Sequence, residues 1–381
     1  MQTTQIHLNA LGDIAQLSPL TQLEPDLIVV FGAINYFESP QLATTLATLA
    51  PTSAVIGCST AGEIAVDRVY DQSCIVTAVK FANTHVSAVT TEITGMADSF
   101  AAGARLGDAL EKANLTGVLI LGTGVAINGS ALVAGLESSL PKGVSISGGL
   151  AADAGAFTQT WTLGPAGSSD KHIVAVGFYG DKVQLSYGTF AGWEPFGPAR
   201  KVTRCDGNVL YELDGASALE VYKRYLGDYA KDLPGSGLLF PFAMLDSEHQ
   251  KHGIFRTILA VDEAEGSLTL AGDIDPNGYL ELMHSSTDKL INGAETAAKT
   301  AQKNHTGATD NSLAILVSCI GRKLVMGDRI DEEVEAVADT LGKNTTITGY
   351  YSNGEIAGTE FHSECRLHNQ TMTITWISEN P

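Results

Sequence analysis

Basic residues are scarce in this sequence: 23 Lys and Arg stand against 43 Asp and Glu in 381 residues, a formal charge of -20. No basic run is longer than a pair, as at Arg200-Lys201 and Arg322-Lys323. Gripping a phosphate backbone or an anionic lipid surface needs concentrated positive charge. Nucleic acid and anionic membrane are therefore excluded as expected partners, and the scattered acidic residues act as a solubilising surface. Cysteine is sparse as well. Cys58, Cys74, Cys205, Cys319 and Cys365 are odd in number, widely spaced and free of any C-x-x-C, which excludes a disulfide framework and a zinc ribbon and fits a reducing compartment. Long apolar runs are missing too. The opening MQTTQIHLNALGDIAQL has no basic stretch leading into an apolar one, so no signal peptide is expected. The charge-free stretch Ala113 to Leu136 is broken by Asn114, Thr116, Thr123, Asn128, Ser130 and several glycines, which rules it out as a membrane span. The expected location is cytoplasmic.

What is present is a globular composition, 44% apolar with 40 Gly. The length exceeds what one hydrophobic core usually serves, so two domains are expected, 1–204 and 205–381, with the join near Arg200 to Gly207. Leu27 to Phe31 reads as a buried strand, Gln41 to Leu49 as a helix with leucines at helical spacing, and Ala54 to Gly57 as a strand again. The same order recurs at Val118 to Leu121, Ser130 to Leu140 and Val144 to Ser147. It returns at Leu313 to Val317, Asp331 to Leu341 and Thr346 to Gly349. Three such units predict an α/β fold with mixed sheets covered by helices. Alternating segments between them, Ile75 to Phe81, His85 to Ile93, His172 to Phe178 and Val183 to Tyr187, predict antiparallel strands. A helix is expected over Ser217 to Leu226.

An internal repeat is visible without gaps. PQLATTLATLAPTSAVIGCSTAGEIA (Pro40 to Ala65) lies over EEVEAVADTLGKNTTITGYYSNGEIA (Glu332 to Ala357), superposing Gly57 on Gly349, Gly62 on Gly354, Glu63 on Glu355 and Thr60 on Ser352. The glycines suit sharp turns after a strand. A carboxylate among apolar neighbours needs a partner, so Glu63 and Glu355 are expected either to lock their turns through hydrogen bonds or to face a ligand.

GCSTAGEI (Gly57 to Ile64), SGGLAADAGAF (Ser147 to Phe157), LVSCIGRKLVMGDRIDEEVEAVADTLG (Leu316 to Gly342), GYYSNGEIAG (Gly349 to Gly358) and LHNQTMTIT (Leu367 to Thr375) resemble the signatures of the FIST N and FIST C domains, in the expected order and over nearly the whole chain. The resemblance implies two related FIST-type halves and a ligand-binding sensory module of intracellular signal transduction. Some stand-alone FIST proteins bind haem, sense nitric oxide and regulate a histidine kinase, with biofilm or cyclic-di-GMP output; others are suspected of sensing amino acids. With no kinase, cyclase or methyl-accepting segment in this chain, output is expected through a separate partner.

After Gly122-Thr123-Gly124 the third glycine of G-x-G-x-x-G would fall on Ile127, and Ser130-Ala131 stand where a P-loop needs Lys and Ser/Thr. Both fingerprints fail, which leaves a turn and helix start near Asn128 or Ser130 that would suit an anion. Ser59 follows a strand and a glycine, but the next glycine is one position too late for G-x-S-x-G. No His and Asp are nominated as its relay. Cys58 has a nucleophilic reading and a bland one as a small buried hydrophobe, and the bland one is preferred.

Without C-x-x-C-H, any haem b would be held by ligation and packing alone. Candidate axial ligands are His284, at a strand-to-helix junction, and His249 and His252 in the polar SEHQKHG segment; each also reads as an ordinary surface or capping histidine. His362, Cys365 and His368 recur three apart, but on a strand Cys365 would face away from the other two. Arg322 is expected either to pair with Glu355 or to clamp a ligand carboxylate. The expected site is a cleft between the halves bordered by Cys58, Ser59, Thr60 and Glu63, by Gly148 and Gly149, and by Arg322, Ser352, Asn353 and Glu355. It would hold a small molecule. The chain is expected not to be an enzyme, with a hydrolase using Ser59 or Cys58 as the weaker alternative.

Overall fold

The computed structural model describes residues 1–307, 311–358 and 365–380, with the side chain of His252 also outside the description. It is a mixed α/β protein of three six-stranded sheets and one nine-stranded sheet. The first sheet runs in the order Gln2–Leu8, Cys74–Lys80, Leu27–Gly32, Ala54–Ser59, Thr162–Gly164, Gly167–Ser169. The second runs His85–Glu92, His172–Tyr179, Leu115–Gly122, Ser145–Leu150, Gly354–Gly358, Cys365–His368. The third runs Val183–Phe190, Met372–Glu379, Ser312–Cys319, Thr345–Ser352, Glu63–Ala65, Arg68–Tyr70. In each, the central pair is parallel and the outer strands are antiparallel to their neighbours.

These elements follow from their residues. Leu27–Gly32 and Leu115–Gly122 are nearly unbroken apolar runs because both faces of a central parallel strand are buried. Helix Pro40–Leu49 starts where Ser39 accepts a bond from the Gln41 amide and Pro40 fills the first turn. Ser217 caps the helix Ala218–Leu226 in the same way. The inner faces of the three sheets share one core that includes Val29, Phe31, Leu119, Leu121, Val174, Ile315 and Val317. Helices cover the outer faces: Pro40–Leu49 on the first sheet, Ser99–Ala109 and Gly129–Ser138 on the second, Thr287–Asn304 and Asp331–Leu341 on the third.

The nine-stranded sheet, built from Glu194–Pro195 through Tyr279–His284, has its own core with helix Ala218–Leu226. The three six-stranded sheets do not part at residue 204. Strands Glu63–Ala65 and Arg68–Tyr70 complete the third sheet, and Gly354–Gly358 and Cys365–His368 complete the second.

Tight approach of the central parallel strands explains the glycines that sit within them. A Cβ on Gly349 would lie 2.0 Å from the Leu316 carbonyl oxygen, and one on Gly148, whose φ is +141°, would lie 1.8 Å from that of Ile120. Gly349→Ala should therefore destabilise the protein by about 3 kcal/mol or more. By contrast Gly12→Ala, with nothing within 4 Å of the new carbon, should stay within about 0.5 kcal/mol. Urea denaturation of the two variants measures the contrast, and equal losses would contradict it.

Candidate functional site

The corners that the sequence singled out are joints between sheets, and they are buried. Ser59 ends its strand, the chain turns at Gly62 (φ +139°), and Glu63–Ala65 then pairs with Thr348–Tyr350 in the third sheet. The Glu63 carboxylate is 1% exposed. It accepts from the Thr60 hydroxyl, from the Ser73 amide at 3.1 Å and from the Ser73 hydroxyl at 2.8 Å. At the other corner Glu355, fully buried, accepts from the Ser352 hydroxyl at 2.6 Å and from the Thr371 amide and hydroxyl at 3.1 and 2.9 Å. The two carboxylates thus carry matching sets of donors, one hydroxyl within the turn and one amide plus hydroxyl from the residue that opens the sheet's next strand.

Burial raises both carboxyl groups above the ordinary range, that of Glu355 to about 7, with hydrogen bonds opposing the shift. The neutral form of Glu355 is therefore favoured by folding. Its contribution to stability is complete below the unfolded value near 4.5 and is lost as pH rises through about 7, on the order of 3 kcal/mol. Glu355→Gln keeps one acceptor for Thr371 and turns its amide toward the Ser352 hydroxyl, which can accept. Its stability relative to wild type should rise between pH 5 and pH 8; parallel stability curves for the two proteins over that range would contradict this.

Arg322 is fully buried and its counter-charge is Glu333, not Glu355. Its Nε and Nη2 donate to Glu333 Oε2 at 3.1 and 2.6 Å, while Nη1 donates to the Ala191 carbonyl and Nη2 also to that of Leu290. Glu333 also accepts from Ser318 and from the Tyr351 hydroxyl. The expected pair with Glu355 fails because Arg322 lies in the first turn of the helix Ile320–Met326, and the helix Asp331–Leu341 presents Glu333 directly to it. Removing one member of a buried pair strands the other, so Glu333→Gln should cost roughly 3 kcal/mol in a denaturant titration. A loss below about 1 kcal/mol would show that the pair is not buried as described.

Most of the other nominated residues are engaged with the scaffold as well, Asn353 Oδ1 being buried without a hydrogen-bond partner among the described residues. Ser59 Oγ donates to the Ala152 carbonyl at 2.7 Å and accepts from the Trp161 amide at 2.9 Å, which leaves no hydroxyl proton for a base to take. Cys58 is fully buried and burial pushes its thiol up, the opposite of nucleophile activation. Asn353 donates to the Gly124 carbonyl at 3.3 Å, and a Cβ on Gly149 would meet the Tyr350 hydroxyl and Val317 at 2.7 Å. Tyr350 itself stacks on Phe31 with ring centroids 4.6 Å apart. The corners lie side by side, Ala61 and Tyr351 bonding through their backbones.

A cleft of about 850 Å3 opens elsewhere, where the second and third sheets face each other. Its walls are the end of helix Gly129–Ser138 and the following turn (Glu137, Lys142), the strands Ser145–Leu150 and Val183–Phe190 (Ser145, Ser186, Tyr187), and the helix Thr287–Asn304 (Thr300, Asn304). None of the ten residues nominated as ligand contacts lines it. Glu137 is anchored by the Cys365 amide at 2.7 Å, and Asn304 donates to the Tyr187 carbonyl at 3.3 Å. Burial pushes the Tyr187 hydroxyl up, with Ser145 and Ser147 opposing, so it enters the cleft as a neutral group. Sequence reasoning missed these residues because the cleft unites positions from 137 to 365 that share no motif.

Neither His249 nor His284 lines the cleft. His284 ends the strand Tyr279–His284 as expected and packs on Phe196, ring centroids 5.3 Å apart; His249, exposed at φ +61°, packs on Tyr279 at 4.0 Å. His252 lies in the strand Lys251–Arg256, its side chain outside the description, and His362 lies outside the described residues. His368 is fully buried and burial lowers it to about 4. Among the described residues no three His, Cys, Asp or Glu gather as for a metal ion, and no helix is long and apolar enough to cross a membrane.

Fold and cleft together define a helix-covered α/β protein with a ligand-sized opening whose walls come from both halves of the chain. The chain belongs to the FIST family, a family of non-catalytic sensory domains: the FIST N domain matches residues 26–216 and the FIST C domain residues 218–358. It is 26% identical over 219 residues to an uncharacterized protein of Methanocaldococcus jannaschii, a match covering 54% of this chain and 40% of that protein's length. A cyanuric acid hydrolase structure from A. caulinodans aligns over 100% of this chain and 99% of its own at 9% identity, but with a TM-score of 0.38 the likeness carries no argument.

Proposed function

We propose that this chain is a cytoplasmic FIST sensor that takes a small zwitterion of the amino-acid class into the cleft and reports it to a separate histidine kinase. The observation that carries the reading is the lining of the cleft. Lys142 and Glu137 supply one charge of each sign, and the remaining polar groups, among them Ser145, Ser186, Tyr187, Thr300 and Asn304, are neutral donors and acceptors. An α-carboxylate would sit by Lys142 and an α-ammonium by Glu137, with hydroxyls and amides meeting the rest of the ligand. The volume falls within the range of small-molecule sites.

The haem-based nitric-oxide reading needs an axial donor facing a macrocycle. The described lining of the cleft holds no histidine, and the candidates His249 and His284 pack on aromatic rings in the nine-stranded sheet. The residues present thus favour the zwitterion. The nominated corner residues, and the repeat between Pro40 to Ala65 and Glu332 to Ala357, belong in this reading to the scaffold that positions the cleft.

Thermal shift of the purified protein against each of the twenty amino acids tests the proposal. One amino acid or a related group should raise the midpoint by several degrees, and Lys142→Met and Glu137→Gln should each weaken its binding at least tenfold. The reading falls if no amino acid shifts the midpoint, and haem displaces it if protein supplied with haem shows a Soret band that moves with nitric oxide.

A further inference from the structure

We infer that the scaffold is one closed ring of three units, each lending a hairpin to the sheet of another, with the nine-stranded sheet inserted into it, rather than two consecutive domains. The equivalence is one of register. Val30 lies opposite Gly57, Ile120 opposite Gly148 and Leu316 opposite Gly349 in the three parallel pairs, and each of these glycines is pressed against the carbonyl of its partner. The residue after each glycine then pairs with the first or second residue of a hairpin from another unit: Cys58 lies opposite Thr162, Gly149 opposite Glu355 and Tyr350 opposite Glu63.

The exchange closes on itself. The hairpin of the first unit (Glu63–Ala65 with Arg68–Tyr70) completes the third sheet, that of the third unit (Gly354–Gly358 with Cys365–His368) completes the second, and that of the second unit (Thr162–Gly164 with Gly167–Ser169) completes the first. The helix of each receiving unit then packs over the arriving hairpin: Pro40–Leu49 on Gly167–Ser169, Gly129–Ser138 on Cys365–His368, and Asp331–Leu341 on Arg68–Tyr70. The second unit departs in one respect. Thr162 stands in the register position of Glu63 and Glu355, and its hydroxyl donates to the His172 carbonyl at 2.8 Å, His172 being the register counterpart of Ser73 and Thr371.

A ring joined in this way loses all three sheets when one unit opens, because each sheet ends in strands borrowed from another unit. If the cleft binds as proposed above, ligand held between the second and third units would also steady the first, which does not touch it.

Native-state hydrogen exchange of the full chain tests the ring without any ligand. Leu42→Ala, in the helix of the first unit, should accelerate the slowest amides of all three six-stranded sheets by one common factor of at least tenfold, including Ile315 and Ile374 in the third. Val337→Ala, in the helix of the third unit, should do the same to Val29 and Ile120 in the first and second. The inference is overturned if acceleration by Leu42→Ala stops at the first and second sheets while Ile315 and Ile374 keep wild-type rates, the pattern that separable halves would give. Because neither variant touches the cleft, failure of the ring and failure of the ligand reading leave different traces.

Discussion

The rest of the structure depends on two carboxylates placed where water cannot reach them. At Glu63 and Glu355 a strand leaves the sheet in which it was made and joins another, and at such a corner the turn groups lose their ladder partners. Each carboxylate gathers one turn hydroxyl and the amide and hydroxyl that open the following strand. Desolvation of the charge opposes this, and protonation relieves the opposition, which is why both groups are displaced upward. The corners fix how three sheets stand around one apolar core, and the cleft exists only because the second and third sheets are held in that relation.

Much of the fold was legible because buried parallel strands and amphipathic helices write strong patterns. The three strand-helix-strand units stand where periodicity put them, with Asp331–Leu341 matched to the residue and Ser217 capping rather than joining its helix. The exchange of hairpins was not legible. Nothing in Glu63-Ile64-Ala65 says which sheet receives it, since pairing across nearly three hundred residues is decided by shape and register rather than by local sequence. Only two copies of the corner showed as a repeat; on the three-unit inference the second unit carries Thr162 where the others carry glutamate, reached after a longer excursion through Asp153 to Trp161.

The candidate site was legible in the opposite sense. Residues chosen for unusual chemistry in an apolar setting, Cys58, Ser59, Glu63, Arg322 and Glu355, proved to be occupied by one another's neighbourhood, as buried polar groups generally are. A binding group must keep unspent capacity near solvent. Lys142, exposed in the lining of the cleft, has that property and, for the same reason, leaves no mark on a single sequence. Arg322 shows the distinction well, since every contact it makes is internal to the scaffold.

On the proposed reading, structural chemistry lies at the corners and recognition at the seam between the second and third sheets. Amide chemical-shift mapping with an amino acid that binds would test this division most directly. Perturbations centred on Lys142 to Ile146, Ser186, Tyr187 and Asn304 are predicted; perturbations centred on Cys58 to Glu63 and Ser352 to Glu355, with the seam unmoved, would contradict it.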